Sequence, residues 1–338
     1  MTDLVPRPRL APAPAAGPGR ERFRSLDPRS LDWDSVPLRL FGKGHRRSWD
    51  PSAIDFSQDA EDWRRLPEAA REAFSGLCAM FAAGEEAVTH DLQPFLAAMA
   101  AEGRLGDEMY LTQFCYEEAR HTEVFRRWLD AVGETGDLNH HVADNPGYRT
   151  IFYEELPRSL NALTEDPCPA NQVRASVTYN HIVEGTLALT GYFAWNRMCA
   201  RLGMFPGMRE IIRRIGDDER RHMAWGTYTC RRHVAADEAN WLVARRRMRE
   251  LLPHAIRQIQ FATHLYQPEY FGLEMRALMT YATGRAKRRL AAIGAARGKA
   301  VHLVEVDTVT ERLEDAFAEE DAEPAETGWG GPRGPWRA

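Results

Sequence analysis

No stretch of this 338-residue chain holds the roughly 20 consecutive apolar residues that a membrane-spanning helix needs, which argues against an integral membrane protein. Cysteine is scarce. The five present (Cys78, Cys115, Cys168, Cys199 and Cys230) are odd in number and form no C-x-x-C pair. That pattern speaks against a disulfide framework and for reduced, packed thiols. Excess positive charge is also missing. A net charge of -5 and a pI near 6.2 argue against general nucleic-acid binding. The first 24 residues scatter proline and arginine through what would have to be an apolar core, so they make a poor secretory signal, and a cytoplasmic protein is expected. There is no internal repeat of solenoid length and no strand-rich region.

The chain is 44% hydrophobic and 28% charged, enough apolar sequence for a sizeable core in a globular domain. Residues 1–30, with Pro6, Pro8, Pro12, Pro14, Pro18 and Pro28 among Arg and Ala, read as a disordered arm. Aromatic and apolar residues from Trp33 to Trp63 suggest an irregular arm packed against the body. Helical periodicity then sets in over Ala69–Met99, Asp107–Val132, Tyr148–Leu163, Asn171–Cys199, Met208–Val234 and Asp237–Phe261. Tyr266–Phe271 reads as a loop, followed by helix to Arg289 and a short extended piece over Val301–Val306. Residues 306–338, acidic and then rich in Gly, Pro and Trp, read as a mobile tail. The expected architecture is one all-α domain over residues 31–305, flanked by two loose ends.

Within these helices a few charges stand where charge is expensive. Glu184 is the one carboxylate in the apolar run from Ser176 to Trp195, and Glu85 stands in a second such run. Glu118-x-x-His121 and Glu219-x-x-His222 each put a carboxylate and an imidazole on one helix face. Taken singly, each E-x-x-H is an ordinary solvated face. The order Glu, ExxH, Glu, ExxH is a different matter. Glu85 and Glu118 lie 18 and 15 residues from Gly103, and Glu184 and Glu219 lie 19 and 16 residues from Gly203. If each pair forms an antiparallel hairpin, all four carboxylates lie about 25 Å from their turns and meet at one level. The segment between Glu118 and Glu184 supplies the single long crossover of a ferritin-like four-helix bundle. Clustered carboxylates need counter-charge, and two divalent cations supply it. Mixed carboxylate and imidazole donors suit iron and manganese. His90, His140, His141, His181 and His233 lack this arrangement and read as surface or supporting residues.

The segments Gly84-Glu85-Glu86-Ala87-Val88-Thr89, Glu117-Glu118-Ala119-Arg120-His121, Val177-Thr178-Tyr179-Asn180-His181-Ile182-Val183-Glu184-Gly185 and Gly216-Asp217-Asp218-Glu219-Arg220-Arg221-His222 carry a resemblance. Over residues 30–305 the chain resembles the ribonucleotide-reductase-small-subunit-like ligand-binding oxidases. That resemblance implies a Mn/Fe cofactor held by Glu85, Glu118, His121, Glu184, Glu219 and His222, reaction with O2, an electron donor, and a homodimer. It further implies a long-chain fatty acid bound at the metals and an ether cross-link between Val88 and Tyr179. Val88 follows Glu85 by one helical turn. Tyr179 precedes Glu184 by five residues, which in a regular helix points well off the ligand face, so its placement rests on the resemblance. By analogy Asp218 partners a ligand imidazole. A reductase small subunit is the alternative, but the position of its radical tyrosine, four residues after His121, is Phe125 here. A non-catalytic metal or lipid carrier on the same fold is a second alternative.

Overall fold

Every regular element among the described residues is helical and none is a strand. The computed structural model describes residues 23–28, 30–266 and 274–322. Most of the expected N-terminal arm, the expected loop at Tyr266–Phe271 beyond Tyr266, and the Gly/Pro/Trp-rich end lie outside them. The segment expected to be irregular contains two helices, α1 (Val36–Arg46) and α2 (Ser57–Arg65). Pro37 in the first turn starts α1, where its missing N–H costs nothing.

The bundle proper begins with α3 (Glu68–Asp91) and α5 (Leu105–Val132), joined through α4 (Gln93–Ala101). The expected single helix to Met99 is broken at Leu92, because Pro94 has no N–H to continue the ladder. On α3 the buried residues Phe74, Cys78, Phe81, Glu85 and Val88 follow the three- and four-residue steps of one helix stripe, so Glu85 is carried inward by its apolar neighbours. On α5 Phe114, Glu118, His121, Phe125 and Trp128 do the same. Gly103, at φ 67°, closes the hairpin between them, a left-handed turn that glycine takes without strain.

A long crossover follows: α6 (His140–Ala143), α7 (Pro146–Tyr148), a π-helical segment π1 (Arg149–Glu155) and α8 (Leu156–Glu165). The third bundle helix is not the uniform helix expected over Asn171–Cys199. It runs as α9 (Pro169–Ser176), a π-helical segment π2 (Val177–Ala188) and α10 (Leu189–Leu202). The fourth, α11 (Pro206–Ala236), is buried around nearly its whole circumference at its centre. Helices α12 (Ala239–Tyr266), α13 (Met275–Gly294) and α14 (Val301–Val304) complete the body. The piece expected to be extended at Val301–Val306 is therefore helical over its first four residues. The acidic segment expected to be mobile forms α15 (Val309–Ala322), which packs on α11. Its Glu314 meets the buried Arg289 at 2.7 Å through both carboxylate oxygens, and a fork of that kind holds a helix in register.

The apolar core is divided in two. One cluster gathers Val88, Phe114, Ile182, Val183 and Trp225, and the other gathers Phe81, Val124, Phe125, Leu189 and Ile215. On each of the four bundle helices the chain passes from one cluster to the other through a polar residue or pair. Those polar residues form the site.

Candidate metal centre

Helix α3 supplies Glu85, α5 supplies Glu118 and His121, π2 supplies Glu184, and α11 supplies Glu219 and His222. All six side chains are buried, with at most 5% of any residue exposed. The structure brings them together as two overlapping groups, Glu85/Glu118/His121/Glu219 and Glu118/Glu184/Glu219/His222, whose donor atoms lie within 4.8 Å of one another in each. His121 Nδ1 stands 3.4 Å from Glu85, 3.4 Å from Glu118 and 3.5 Å from Glu219. His222 Nδ1 stands 3.0 Å from Glu118, 3.5 Å from Glu184 and 3.8 Å from Glu219. Glu118 and Glu219, the acids of the two E-x-x-H pairs, belong to both groups.

The opposite nitrogens of the two imidazoles are held crosswise. His121 Nε2 lies 3.1 Å from Asp218, which precedes the ligand-type acid of the other motif, and His222 Nε2 lies 2.9 Å from Glu117. Asp218 also accepts from Arg120, Arg221 and the Trp49 indole, while Glu117 accepts from Arg221. Asp218 was anticipated. Glu117 was not, although both motifs read acid-Glu-x-x-His, and that repetition was the available signal. Around the acids, Tyr179 donates to Glu118 at 2.8 Å, Tyr192 to Glu85 at 2.8 Å and Asn180 to Glu184 at 3.0 Å. Tyr192 and Asn180 sit in apolar helical sequence that gives no local hint of a polar role.

The π segment corrects the expected direction of Tyr179. In an α-helix five residues turn through 500°, leaving Tyr179 about 140° from Glu184. Bonding from i to i+5 fits more residues into each turn, so residues five apart return toward one face. Gly226 on α11 makes room for this: a Cβ there would lie 2.2 Å from Asn180 Cγ. Val88 is buried beside Glu85 on the cavity wall, and Phe125 stacks on Phe81 with ring centroids 5.5 Å apart. Of the other histidines, His90 and His140 are exposed, as expected of surface residues. His141, His181 and His233 are buried.

Electrostatics describes a site short of positive charge. With all six acids ionised and both imidazoles neutral, Glu85, Glu117, Glu118, Glu184, Asp218 and Glu219 against two buried guanidiniums, Arg120 and Arg221, would leave four negative charges uncompensated. Burial pushes Glu85 and Glu184 up to about 7, and burial with the repulsion of Glu184 and Glu118 pushes Glu219 well above the carboxylate range. Glu118 falls below its usual range, because the His222 and His121 contacts outweigh its own burial. Both imidazoles rise despite burial, His121 through Asp218, Glu118 and Glu85, and His222 through Glu118 and Glu117. Five of the inward atoms (Glu118 Oε2, His121 Nδ1, Glu184 Oε1, Glu219 Oε2 and His222 Nδ1) have no hydrogen-bond partner, which is how a donor set for cations is arranged and how a polar core is not.

An apolar cavity opens onto these acids. About 130 Å³ of it is reachable by water, and Glu85, Glu118, Glu184 and Glu219 line it together with Leu77, Met80, Phe81, Val88, Phe152 and Leu187.

The family model of the ribonucleotide reductase small chain matches residues 38–297. A solved structure of an R2-like ligand-binding oxidase with aerobically reconstituted Mn/Fe cofactor is 36% identical, with a TM-score of 0.77 over 81% of this chain and 98% of that one. A single-residue variant of such an oxidase with anaerobically reconstituted Mn/Fe cofactor matches at the same identity, coverage and TM-score. The chain belongs to the R2-like ligand-binding oxidases of the ribonucleotide reductase small-chain family. For this oxidase-family member the ferritin-like bundle follows, and the polar layer that splits its core occupies the centre of that bundle. Among the described residues, no helix is long and apolar enough to cross a membrane.

Proposed function

We propose that this protein is an O2-using oxidoreductase with a Mn/Fe pair held by Glu85, Glu118, His121, Glu184, Glu219 and His222, acting on an apolar ligand. What carries the reading is the pair of overlapping donor groups whose acids line an apolar cavity. Two divalent cations would cancel the four unbalanced negative charges and take up the unpartnered donor atoms. Glu118 and Glu219 would be shared between them. A bound Mn/Fe pair supplies redox equivalents and Lewis acidity for the reduction of O2.

The chain's own part is orientation and exclusion of water. Asp218 and Glu117 fix the two imidazoles by accepting from Nε2, leaving each Nδ1 turned inward as a donor atom. Tyr179, Tyr192 and Asn180 restrain one oxygen each of Glu118, Glu85 and Glu184. The cavity suits a long-chain fatty acid, with the carboxylate toward the metals and the chain along Leu77, Met80 and Leu187. In the same reading, Val88 and Tyr179 become joined by an ether. One C–O bond forms between the phenol oxygen and a Val88 side-chain carbon, an O–H and a C–H bond break, and two electrons and two protons pass to O2.

Assembly of the protein with both metals in air tests this. The expected result is near one Mn and one Fe per chain, and a joined peptide pair lighter by two hydrogens than the sum of the Val88 and Tyr179 peptides. Folded protein that retains no metal would overturn the assignment. Retained metal with unlinked peptides and no O2 uptake would remove the oxidase chemistry and keep the centre.

A further inference from the structure

A second constellation of metal-binding donors lies at the surface, at the start of the crossover. Glu72 on the second turn of α3 meets two adjacent imidazoles from α6. Its Oε1 is 3.6 Å from His140 Nε2 and 3.6 Å from His141 Nε2. All three donor atoms lie within 4.8 Å of one another. We propose that Glu72, His140 and His141 form a binding site for a zinc-like divalent cation, separate from the buried centre.

Three features support a site over a chance cluster. The first is spacing. Donors at about 2.0–2.1 Å around a tetrahedral zinc stand roughly 3.3 Å apart, so the two 3.6 Å separations need only small side-chain adjustments. The second is tautomer. His140 Nδ1 lies 3.1 Å from the carbonyl oxygen of Asp137, to which it can donate, leaving Nε2 with its lone pair toward Glu72. An imidazole held through its far nitrogen is the usual arrangement of a metal-ligating histidine. The third is the gradient of exposure. The side chains of Glu72 and His140 are 61% and 59% exposed and that of His141 only 4%, so a cation has an open approach and one fixed anchor. Two imidazoles and one carboxylate, with a fourth position open to water, suit zinc-type borderline cations better than magnesium or calcium. The location also has a consequence. The chain leaving α6 passes directly into Tyr148, whose hydroxyl donates to the Met80 carbonyl, and into Phe152 on the cavity wall. A cation clamping α6 to α3 would tie that wall to the helix that bears Glu85.

The experiment uses untagged full-length protein already loaded with Mn and Fe and freed of excess metal. Zinc chloride is titrated against a chromogenic zinc indicator, and Mn, Fe and Zn are counted by mass spectrometry after desalting. One zinc per chain beyond undiminished Mn and Fe is expected for the wild type. H140Q and E72Q change exposed side chains and leave the fold intact, and each should weaken that zinc at least about tenfold. Cobalt in place of zinc should give the strong visible absorption of a tetrahedral site in the wild type and lose it in H140Q. The assignment is overturned if no additional zinc binds, if zinc enters only by displacing Mn or Fe, or if H140Q and E72Q bind zinc as the wild type does.

Discussion

Replacing Glu117 by Gln probes the crosswise support of the centre. Glu117 accepts from His222 Nε2 at 2.9 Å and from Arg221 at 2.7 Å, and it is only 1% exposed. Glutamine keeps the shape and removes the charge, so His222 keeps its position while its inward nitrogen becomes a poorer donor. Loss of such an outer partner weakens metal binding by about 10–100-fold, or roughly 1.4–2.7 kcal/mol. The stability cost should fall short of the ~3–5 kcal/mol of breaking a buried ion pair, because Arg221 still has Asp218 at 2.6 Å. Metal retention against a competing chelator, with urea unfolding alongside, measures both. The exposed neighbour of Glu85 serves as control: E86Q should change neither. If E117Q holds both metals as firmly as the wild type, the outer carboxylates are spectators and the reasoning about imidazole orientation fails.

The shared acids should behave differently from the unshared ones: E219A should lose both metals, whereas E85A should lose one, as read by metal counting per chain. Equal losses would mean that Glu219 does not bridge. G226A drives a methyl to within 2.2 Å of Asn180 and should destabilise the fold by about 1–3 kcal/mol while loosening Glu184, seen in urea unfolding and in metal content. Acid sensitivity should come in part from His233 and His181, which burial holds down to about 2 and about 3. The unfolded chain takes up these protons near pH 6.5 and the folded chain only far below, so each histidine contributes stability that is complete above 6.5 and is lost as the pH falls. From pH 7 to 5 each loses about 2 kcal/mol, and the slope of stability against pH over that range should flatten in H233Q. An unchanged slope would show that His233 titrates normally.

Much of the centre was legible along the chain because its information is local. An i, i+3 pair shares a helix face wherever the helix goes, and ligands equidistant from a turn meet when the hairpin closes, so Glu85, Glu118, His121, Glu184, Glu219 and His222 stood out by spacing alone. The helices of residues 36–65 and 309–322 were missed for the opposite reason. Their amphipathic stripes are short, and it is packing on the body, as between Glu314 and Arg289, that stabilises them.

The residues by themselves determined an all-α bundle, its turns, and the six charged or imidazole side chains placed where charge requires a partner. Only the tertiary structure decided which acids stand between both groups, that Glu117 supports His222 while Asp218 supports His121, and that a π segment brings Tyr179 onto Glu118. Each of these depends on two helices far apart in the chain approaching closely, and on backbone hydrogen bonds shifting register under that packing. Local spacing carries neither.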